Sequence, residues 1–289
     1  MNYRHAFHAG NFADVLKHAV LVRMLVHLRR KPAAFRVLDT HAGAGLYDLA
    51  GPEADRSGEW RGGIGRLFSA PMGDAAAALL APYLEAVAAL NPAGKLTVYP
   101  GSPALVRAFL RAQDRLIACE LEPNAAAALA RAVDADRRSK VLEIDGWTAL
   151  NAYVPPTERR GVVLVDPPFE DADDFPRLAH ALAAAHRKWA SGTYLAWYPI
   201  KDRTAPHALA RQLERSGIAK ILRAELSVAA PPSARLASEP DRLGSCGLIV
   251  VNPPWTLAGE LQTMLPALAS ALSGGSAGTH RVDWLAGEK

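Results

Sequence analysis

A short polar loop follows a strongly apolar run in the second half of the chain. Residues 161–165 are apolar and predict a buried strand, and the loop at residues 166–169 has the sequence Asp-Pro-Pro-Phe. A carboxylate and a proline carbonyl placed side by side can accept hydrogen bonds from both N–H groups of an exocyclic amine. Such contacts favour a more tetrahedral nitrogen, whose lone pair can then attack an electrophilic methyl group. An aromatic ring beside them gives a flat face on which a flipped base can stack.

We therefore predict that Asp166 is the central catalytic residue, that the Pro167 carbonyl is the second acceptor and that Phe169 is the stacking platform. The two prolines fix the backbone so that the carbonyl points inward. An ordinary strand-ending Asp-Pro turn is the alternative interpretation. The glycine turn and the strand-ending acids upstream of the loop favour the chemical interpretation.

Earlier strands also end in residues that suit a nucleotide-like ligand. The first predicted strand leads into a turn with Gly43 and Gly45, which let a backbone approach a ligand closely. Glu120 ends the next strand, where it can accept both hydroxyls of a ribose. Asp145 ends the third, where it can accept from an adenine amino group. Because ligands bind at the carboxyl ends of parallel strands, we expect these groups to lie near Asp166.

A nicotinamide-dependent oxidoreductase is an alternative for the Gly-x-Gly turn taken alone. Its fingerprint requires a glycine or alanine three residues after the second glycine, where this chain has Asp48. It also places an acidic residue about 20 residues further on, and Glu120 lies far beyond that distance. Both departures disfavour the oxidoreductase.

A second acceptor-Pro-Pro-aromatic sequence, Asn252 to Trp255, follows another apolar run near the end of the chain. In the usual methyltransferase order, the catalytic loop follows the fourth strand, which is the position of Asp166. We therefore interpret Asn252 to Trp255 as structural or as a wall of the target pocket.

The elements that must position these residues alternate along the chain. We predict a first helix capped by Asp14 and ending near Arg30, and a later helix capped by Ser102. Short apolar strands alternate with helices, which predicts a doubly wound, mainly parallel α/β sheet whose last two strands pair antiparallel. Residues 46–100 break this alternation, and we interpret them as a mostly helical insertion with a break or restart at Pro82.

The composition is that of an ordinary soluble protein, with half of its residues hydrophobic. The formal net charge of +4 permits a polyanionic partner without establishing one. No apolar run is long enough to span a membrane, so we expect a cytoplasmic protein. Cys119 and Cys246 lie in apolar runs and are expected to be buried free thiols. The histidines are not spaced as metal ligands, so no metal is expected.

The chain resembles the RlmJ family of 23S ribosomal RNA adenine-N6 methyltransferases over nearly its whole length. The most specific similarities are in the N-terminal block and the His-Ala-Gly-Ala-Gly turn. The motifs that carry the resemblance are Tyr3-Arg4-His5, His8-Ala9-Gly10-Asn11, Ala13-Asp14-Val15-Leu16-Lys17-His18, Asp39-Thr40-His41-Ala42-Gly43-Ala44-Gly45, Tyr99-Pro100-Gly101-Ser102-Pro103, Asp145-Gly146, Trp197-Tyr198-Pro199 and Asn252-Pro253-Pro254-Trp255.

The resemblance implies one domain, residues 1–289, with the Rossmann-like class I methyltransferase fold, a small helical insertion at 46–100 and an N-terminal motif at 1–13 over the active site. It implies that S-adenosylmethionine is the methyl donor and that Tyr3 and His5 lie near the target adenine. The implied cofactor contacts are His18, His41, Ser102, Glu120, Asp145, Gly146 and Asp166. Two positions depart from the family pattern, Phe169 in place of tyrosine and Phe12 in place of histidine.

The expected reaction is methylation of an adenosine N6 in 23S rRNA, protein-free or in an early assembly form, by a monomeric enzyme. A DNA adenine-N6 methyltransferase is an alternative because the same loop serves both substrates. A non-catalytic RNA-binding protein with the same fold is another. We also expect arginines of the insertion and of the loop before Cys246 to contact RNA phosphates, namely Arg56, Arg61, Arg66, Arg235 and Arg242.

Overall fold

A computed structural model of the chain describes residues 4–133, 136–171, 173–228, 243–275 and 278–287. Within these ranges the strands are β1 (Arg36–Asp39), β2 (Leu46–Asp48), β3 (Val98–Pro100), β4 (Arg115–Glu120), β5 (Ser139–Glu143), β6 (Gly161–Val165), β7 (Thr193–Pro199), β8 (Ile221–Ser227), β9 (Ser245–Val251) and β10 (Thr279–Ala286). The α-helices in the same ranges are α1 (Phe12–Arg29), α2 (Pro52–Ser57), α3 (Glu59–Gly62), α4 (Ile64–Ser69), α5 (Asp74–Ala89), α6 (Ser102–Phe109), α7 (Pro123–Ala132), α8 (Gly146–Ala152), α9 (Asp174–Lys188), α10 (Thr204–Glu214) and α11 (Leu257–Leu272).

Eight of the described strands form one sheet in the order β5-β4-β1-β6-β7-β9-β8-β10. The first five of these are parallel. β9 is antiparallel to both β7 and β8, and β10 is antiparallel to β8. The chain builds the sheet outward in opposite directions from β1 and β6, so the topological switch point lies between them. The predicted Rossmann-like, doubly wound and mainly parallel sheet is confirmed, and so is the antiparallel pairing of β8 with β9.

Helices cover both faces of this sheet. The core on one face includes residues of α1, α6, α7 and α11, and the core on the other includes residues of α8, α9 and α10. Successive residues of β1 belong to opposite cores, with Val37 in the first and Leu38 in the second. A strand buried on both faces gives a continuous apolar run, which explains why the sequence revealed the central strands so clearly.

The start of α1 differs from the prediction. Asn11 is the N-cap, and its side-chain oxygen accepts from the backbone N–H groups of Ala13 at 2.9 Å and Asp14 at 3.0 Å. The prediction that Asp14 caps this helix is therefore wrong. Both residue types are good N-caps, so the pattern alone could not choose between them. Asp14 instead lies in the first turn, where it is only 3% exposed.

Other boundaries also differ. Ser102 is the first residue of α6, Gly101 occupies the N-cap position, and no side chain caps this helix. The prediction that Ser102 caps α6 is therefore wrong. α5 contains Pro82 without interruption. Two elements, α11 and β10, were not predicted from the sequence. β10 is an edge strand with no fully buried residue, so its alternation is weak.

Four helices, α2 to α5, separate the short strands β2 and β3, which pair antiparallel from Leu46 to Pro100. We propose that residues 46–100 are an inserted subdomain. The residues before α1 contact it, since the backbone N–H of Ile64 donates to the carbonyl of Gly10 at 2.8 Å and the Ser57 hydroxyl donates to the carbonyl of Phe7.

Neither cysteine is in a disulfide, and both thiols are buried, as expected. Burial raises the pKa of the Cys119 thiol to about 12, so this group is not a nucleophile near neutral pH. No helix in the described ranges has the length and apolarity to cross a membrane.

Candidate active site

The carboxyl ends of β6, β1 and β4 lie side by side, because these strands are neighbours in the sheet. Hydrogen bonds across this edge join the loops that leave the strands. The Thr40 hydroxyl donates to the carbonyl of Leu164 at 2.9 Å, and the backbone N–H of Ala42 donates to that of Cys119 at 2.9 Å. These bonds hold the carboxyl ends of β6, β1 and β4 together at the switch point of the sheet.

Lys17 of α1 reaches the loop that follows β6. Its ammonium nitrogen Nζ donates a short hydrogen bond to Oδ2 of Asp166 and lies 2.9 Å from Oδ1 of Asp14. The side chain of Lys17 is 5% exposed and that of Asp166 is 16% exposed. Burial alone would lower the pKa of Lys17, but the two carboxylates outweigh burial and hold this pKa well above its ordinary value. The ammonium is therefore charged at any working pH.

Asp14 joins this pair to the N-terminal segment. Its Oδ2 accepts from the Gly10 backbone N–H at 3.0 Å and lies 3.0 Å from Nε2 of His5. Burial alone would raise the pKa of Asp14, but His5 and Lys17 oppose burial and hold the pKa well below its ordinary value. A continuous polar chain thus runs from His5 through Asp14 and Lys17 to Asp166.

Phe169 lies at the end of the Asp-Pro-Pro-Phe loop in an unusual backbone conformation. Its φ is +52°, in the left-handed region that bulky residues seldom adopt. The ring lies 4.8 Å from the ring of Phe175 and 5.7 Å from that of Trp197, measured between centroids. The loop therefore holds a partly exposed aromatic ring three residues after Asp166, in a backbone conformation whose energetic cost is common at functional sites.

The glycine turn after β1 is bonded to the end of β4. Gly43 and Gly45 both have positive φ, at +63° and +81°, which explains the residue type at both positions. The backbone N–H of Gly43 donates to Oε2 of Glu120 at 2.8 Å. Oε1 of Glu120 accepts from the backbone N–H groups of Leu121 and Glu122. Oε1 therefore uses both of its lone pairs, whereas Oε2 keeps one, so these bonds orient Glu120 and still allow Oε2 to accept from a ribose hydroxyl.

Asp145 and Gly146 lie at the start of α8. Oδ2 of Asp145 caps this helix by accepting from the backbone N–H and the hydroxyl of Thr148, both at 2.8 Å. A Cβ on Gly146 would lie 2.2 Å from the Thr40 carbonyl oxygen and 2.7 Å from the His41 ring, so only glycine fits there. Burial lowers the pKa of His41 to about 4, and this imidazole is neutral near pH 7.

Asp39, at the end of β1, carries a buried carboxylate that the sequence analysis did not assign. It is fully buried, and neither carboxylate oxygen has a hydrogen-bond partner within the described part of the chain. Burial raises its pKa to about 7, although nearby Ser102 and the backbone of His41 oppose this shift. Neither of these two neighbours forms a full hydrogen bond to the carboxyl, and a buried carboxyl that is so poorly satisfied fits a ligand that supplies a donor or a positive charge.

His18 lies deeper than the other predicted cofactor contacts. It is 1% exposed, and its Nδ1 is 2.8 Å from the Tyr99 hydroxyl, which in turn contacts the Tyr83 hydroxyl. Burial lowers the pKa of His18 to about 3, so the ring is neutral. Nε2 of His18 has no hydrogen-bond partner in the described ranges. The helical periodicity of α1 had favoured this core position, and the family resemblance had favoured a cofactor contact.

Lys17 and Asp39 are the site residues that sequence reasoning did not assign. Both stood inside motifs that carried the family resemblance, but neither was assigned a role. For Asp39 a signal was present, since it ends a buried strand in the same way as Glu120 and Asp166. For Lys17 a charged residue inside an otherwise apolar helix was the only hint, because its partner Asp166 is 149 residues away.

Asn252 to Trp255 lie at the opposite edge of the sheet. β9 runs antiparallel to β7, so its carboxyl end, and the loop after it, point away from Asp166. The side-chain amide of Asn252 donates to the carbonyls of Ala190 at 2.7 Å and Gly192 at 2.8 Å. The structural interpretation of this segment is confirmed, and the alternative of a target-pocket wall is wrong.

Some residues expected to contact the substrate lie outside the described ranges, and two others are paired within the protein. Tyr3, Arg235 and Arg242 lie outside the described residues. Arg66 donates to the carbonyl of Leu272 at 2.9 Å, so it joins α4 to α11, and Arg61 pairs with Asp55. Among the described residues, no cluster of three or more His, Cys, Asp or Glu side chains could hold a metal ion.

Comparisons with known proteins show the family of this chain. The family described as "Ribosomal RNA large subunit methyltransferase D, RlmJ" matches residues 32–286. Two curated proteins named "Ribosomal RNA large subunit methyltransferase J" are similar over the full length of both chains. The one from Escherichia coli is 39% identical over 290 residues, and the one from Haemophilus influenzae is 38% identical over 292 residues.

A solved structure, that of protein LPL1258 from Legionella pneumophila, is 31% identical with a TM-score of 0.85. The similarity covers 96% of this chain and 98% of that one. The chain has the Rossmann-like fold of class I methyltransferases. By family match, identity and coverage, it belongs to the RlmJ family of ribosomal RNA large subunit methyltransferases.

Proposed function

We propose that this protein transfers the methyl group of S-adenosylmethionine to N6 of an adenosine in 23S rRNA. The observation that carries the proposal is the hydrogen bond by which Lys17 holds the carboxylate of Asp166, in the same loop as Phe169 with its positive φ. The names of the curated relatives support a large-subunit ribosomal RNA substrate, which would be met in the cytoplasm.

The polar groups around the glycine turn fit the proposed cofactor. S-adenosylmethionine supplies a methyl group on a positively charged sulfur, and it also carries an ammonium and a ribose. Asp39 offers a buried carboxyl whose oxygens form no full hydrogen bond in the described part of the chain, which suits the ammonium. Glu120, already oriented by backbone N–H groups, suits the ribose hydroxyls. We propose that His18, His41, Ser102, Asp145 and Gly146 line the rest of this subsite.

In the proposed reaction, Asp166 accepts a hydrogen bond from the adenine amine and receives the proton that the nitrogen loses. Lys17 bonds to Oδ2, so we assign the amine to the other carboxylate oxygen. The Pro167 carbonyl accepts a hydrogen bond from the second N–H of the amine. The ring of Phe169, which contacts the rings of Phe175 and Trp197, stacks on the base. No metal ion is needed, because the sulfonium is itself the electrophile.

We further propose that residues 1–13 cover the target base, with His5 near it. Support comes from Asp14, whose carboxylate bonds both to His5 of this segment and to Lys17, the partner of Asp166. Tyr3 remains part of this proposal by family resemblance. The enzyme is proposed to act as a monomer, and sedimentation at several protein concentrations would test this.

The test is transfer of labelled methyl from S-adenosylmethionine to protein-free 23S rRNA, read as N6-methyladenosine by mass spectrometry. We expect wild type to methylate the rRNA and Asp166→Ala to lose activity. The melting temperature of the variant should fall, because Lys17 loses one of its two carboxylate partners, but the variant should stay folded at the assay temperature. Asp173→Ala is the matched control, because Asp173 is an exposed carboxylate just beyond the same loop.

The same assay separates the alternatives. Activity on duplex DNA and none on rRNA would favour a DNA adenine methyltransferase. RNA binding without methyl transfer to either substrate would favour a non-catalytic RNA-binding protein. Near-normal turnover by Asp166→Ala would contradict the assigned mechanism even if the rRNA product is found.

A further inference from the structure

A second cleft lies at the carboxyl edge of the sheet, beyond the catalytic loop. It is a cavity of about 400 Å³. Helix α10 and strands β8 and β10 form its walls. The polar and charged side chains that line it are Arg203 at the N-cap of α10, His207 from α10, Glu225 and Ser227 from β8, and His280 and Arg281 from β10.

Strand directions place this cleft on the same edge as Asp166. Ser227 ends β8, which runs parallel to β6, and Ser227 pairs with Thr279 at the start of β10. Two strands, β7 and β9, separate β6 from β8. At about 4.8 Å per strand, the cleft lies roughly 15 Å along the edge from the catalytic loop. A strand of nucleic acid leaving the target base can cover this distance.

Contacts between side chains connect the two places. The ring of Phe175 lies 4.8 Å from that of Phe169 and 6.4 Å from that of Tyr198. The Tyr198 hydroxyl donates to Oε1 of Glu225 at 2.9 Å, and Nη1 of Arg203 donates to Oε2 of Glu225 at 2.8 Å. A chain of side-chain contacts therefore runs from Phe169 to Glu225, which lines the cleft.

The charges of the cleft suit an anion. Glu225, which lines the cleft, is 3% exposed, and the neighbouring Arg223 is 4% exposed and pairs with Asp283. The arginines at the cleft outnumber the two carboxylates, Glu225 and Asp283, that pair with them. Arg203 and Arg281 remain 52% and 45% exposed at the side chain. A guanidinium has five N–H donors, so an arginine that bonds one carboxylate can also bind a phosphate.

We propose that this cleft binds a phosphodiester group of the RNA strand that adjoins the target nucleotide, with Arg203 and Arg281 as the principal donors. The inference rests on the proposed function, since it assigns part of the same substrate. It concerns affinity and positioning of the RNA, and it assigns no role in methyl transfer to the cleft.

The test compares two double variants that each remove two positive charges. Arg203→Gln with Arg281→Gln changes the cleft, and glutamine at 203 can still donate to Glu225. Arg211→Gln with Arg215→Gln is the control, because both residues are exposed and lie at the far end of α10. We expect the cleft variant to raise the KM for 23S rRNA about tenfold with unchanged kcat, and to flatten the salt dependence of RNA binding by about 1.4 to 1.8 in log–log slope.

Several outcomes would overturn the proposal. An unchanged KM in the cleft variant is one, and an equal rise of KM in the control is another. Saturable binding of inorganic phosphate to the cleft, together with an unchanged KM for RNA, would show a site for a free anion instead. If the ion pair between Arg203 and Glu225 proves necessary for folding, the single variants Arg281→Gln and His207→Ala should each still raise the KM for RNA. Failure of wild type to methylate rRNA would instead contradict the proposed function, so the two failures are distinguishable.

Discussion

The ammonium of Lys17 bonds to the carboxylate of Asp166, although 149 positions separate the two residues in the chain. Lys17 is also held by Asp14 one helical turn earlier, so its position is fixed from two sides. The first helix therefore sets the orientation of the carboxylate that we assign to catalysis. It does so with a buried charge, whose partners must all be present for the arrangement to be stable.

We expect Lys17→Met to lower kcat for methyl transfer by about 10²-fold or more, because Asp166 loses the contact that orients it. The same change leaves Asp14 buried without its cation, and the free energy of unfolding should fall by about 3–5 kcal/mol. Turnover at a temperature well below melting, together with chemical unfolding, measures the two effects.

The double variant Asp14→Asn with Lys17→Met distinguishes positioning from stability. It removes the uncompensated charge of Asp14, so part of the lost stability should return while kcat stays low. Recovery of kcat along with stability would mean that Lys17 acts only through folding.

Asp39 should make cofactor binding depend on pH. Burial raises its pKa to about 7, so the carboxyl is largely protonated below that pH when no cofactor is bound. Pairing with the ammonium of S-adenosylmethionine favours the ionised form. Affinity should therefore rise as the pH increases through about 7, with proton release on binding. Calorimetry in buffers of different ionisation enthalpy measures this release. Asp39→Asn should bind more weakly and show a flatter pH profile.

The same residue affects stability with a definite sign. A carboxyl whose pKa is raised in the folded state binds its proton more tightly there than in the unfolded chain. Its contribution to stability is therefore present below the ordinary pKa of 3.8 and is lost as the pH rises to about 7. The shift of about three units corresponds to roughly 4 kcal/mol. Relative to Asp39→Asn, the cofactor-free wild type should thus lose stability between about pH 4 and about pH 8. If the difference in free energy of unfolding between wild type and Asp39→Asn does not change over this pH range, the raised pKa of Asp39 is contradicted.

Phe169 tests the stacking platform. Phe169→Ala should raise the KM for RNA by about 5- to 150-fold, since stacking of a base on an aromatic ring is worth about 1–3 kcal/mol. Phe169→Tyr keeps the ring and should retain activity within a few-fold. Steady-state kinetics on 23S rRNA gives both values. Equal loss in both variants would show that the loop requires phenylalanine for a reason other than stacking.

The main sheet was predictable because its central strands are buried on both faces. β6 is apolar throughout, and its boundaries in the structure are those of the prediction. α11 and β10 had no comparable signal, since β10 is an edge strand that alternates weakly. Glu120 and Asp166 lie at the ends of buried central strands and were predicted in the same way, whereas β5 is only half-buried and ends at Glu143, two residues before Asp145.

Long-range pairing could not be predicted in this way. Nothing local shows that Lys17 meets Asp166, or that Glu225 joins Tyr198 to Arg203. The direction of β9 was the decisive fact for Asn252 to Trp255. The antiparallel pairing of β8 and β9 was expected from the missing helix between them. The consequence, that the loop after β9 lies at the opposite edge from Asp166, was not predicted.

That loop gives the last prediction. Asn252 has a φ of +49°, which asparagine tolerates better than alanine, and its amide bonds to two carbonyls. Asn252→Ala should lower the free energy of unfolding by about 2–3 kcal/mol. Asn252→Gly, which relieves the backbone, should lower it less. Trp255→Ala should change nothing, because Trp255 is 84% exposed. All three variants should keep the kcat of wild type at temperatures where they are folded, since this edge faces away from Asp166. A folded variant of Asn252 with a clearly lower kcat would mean that the loop does reach the substrate.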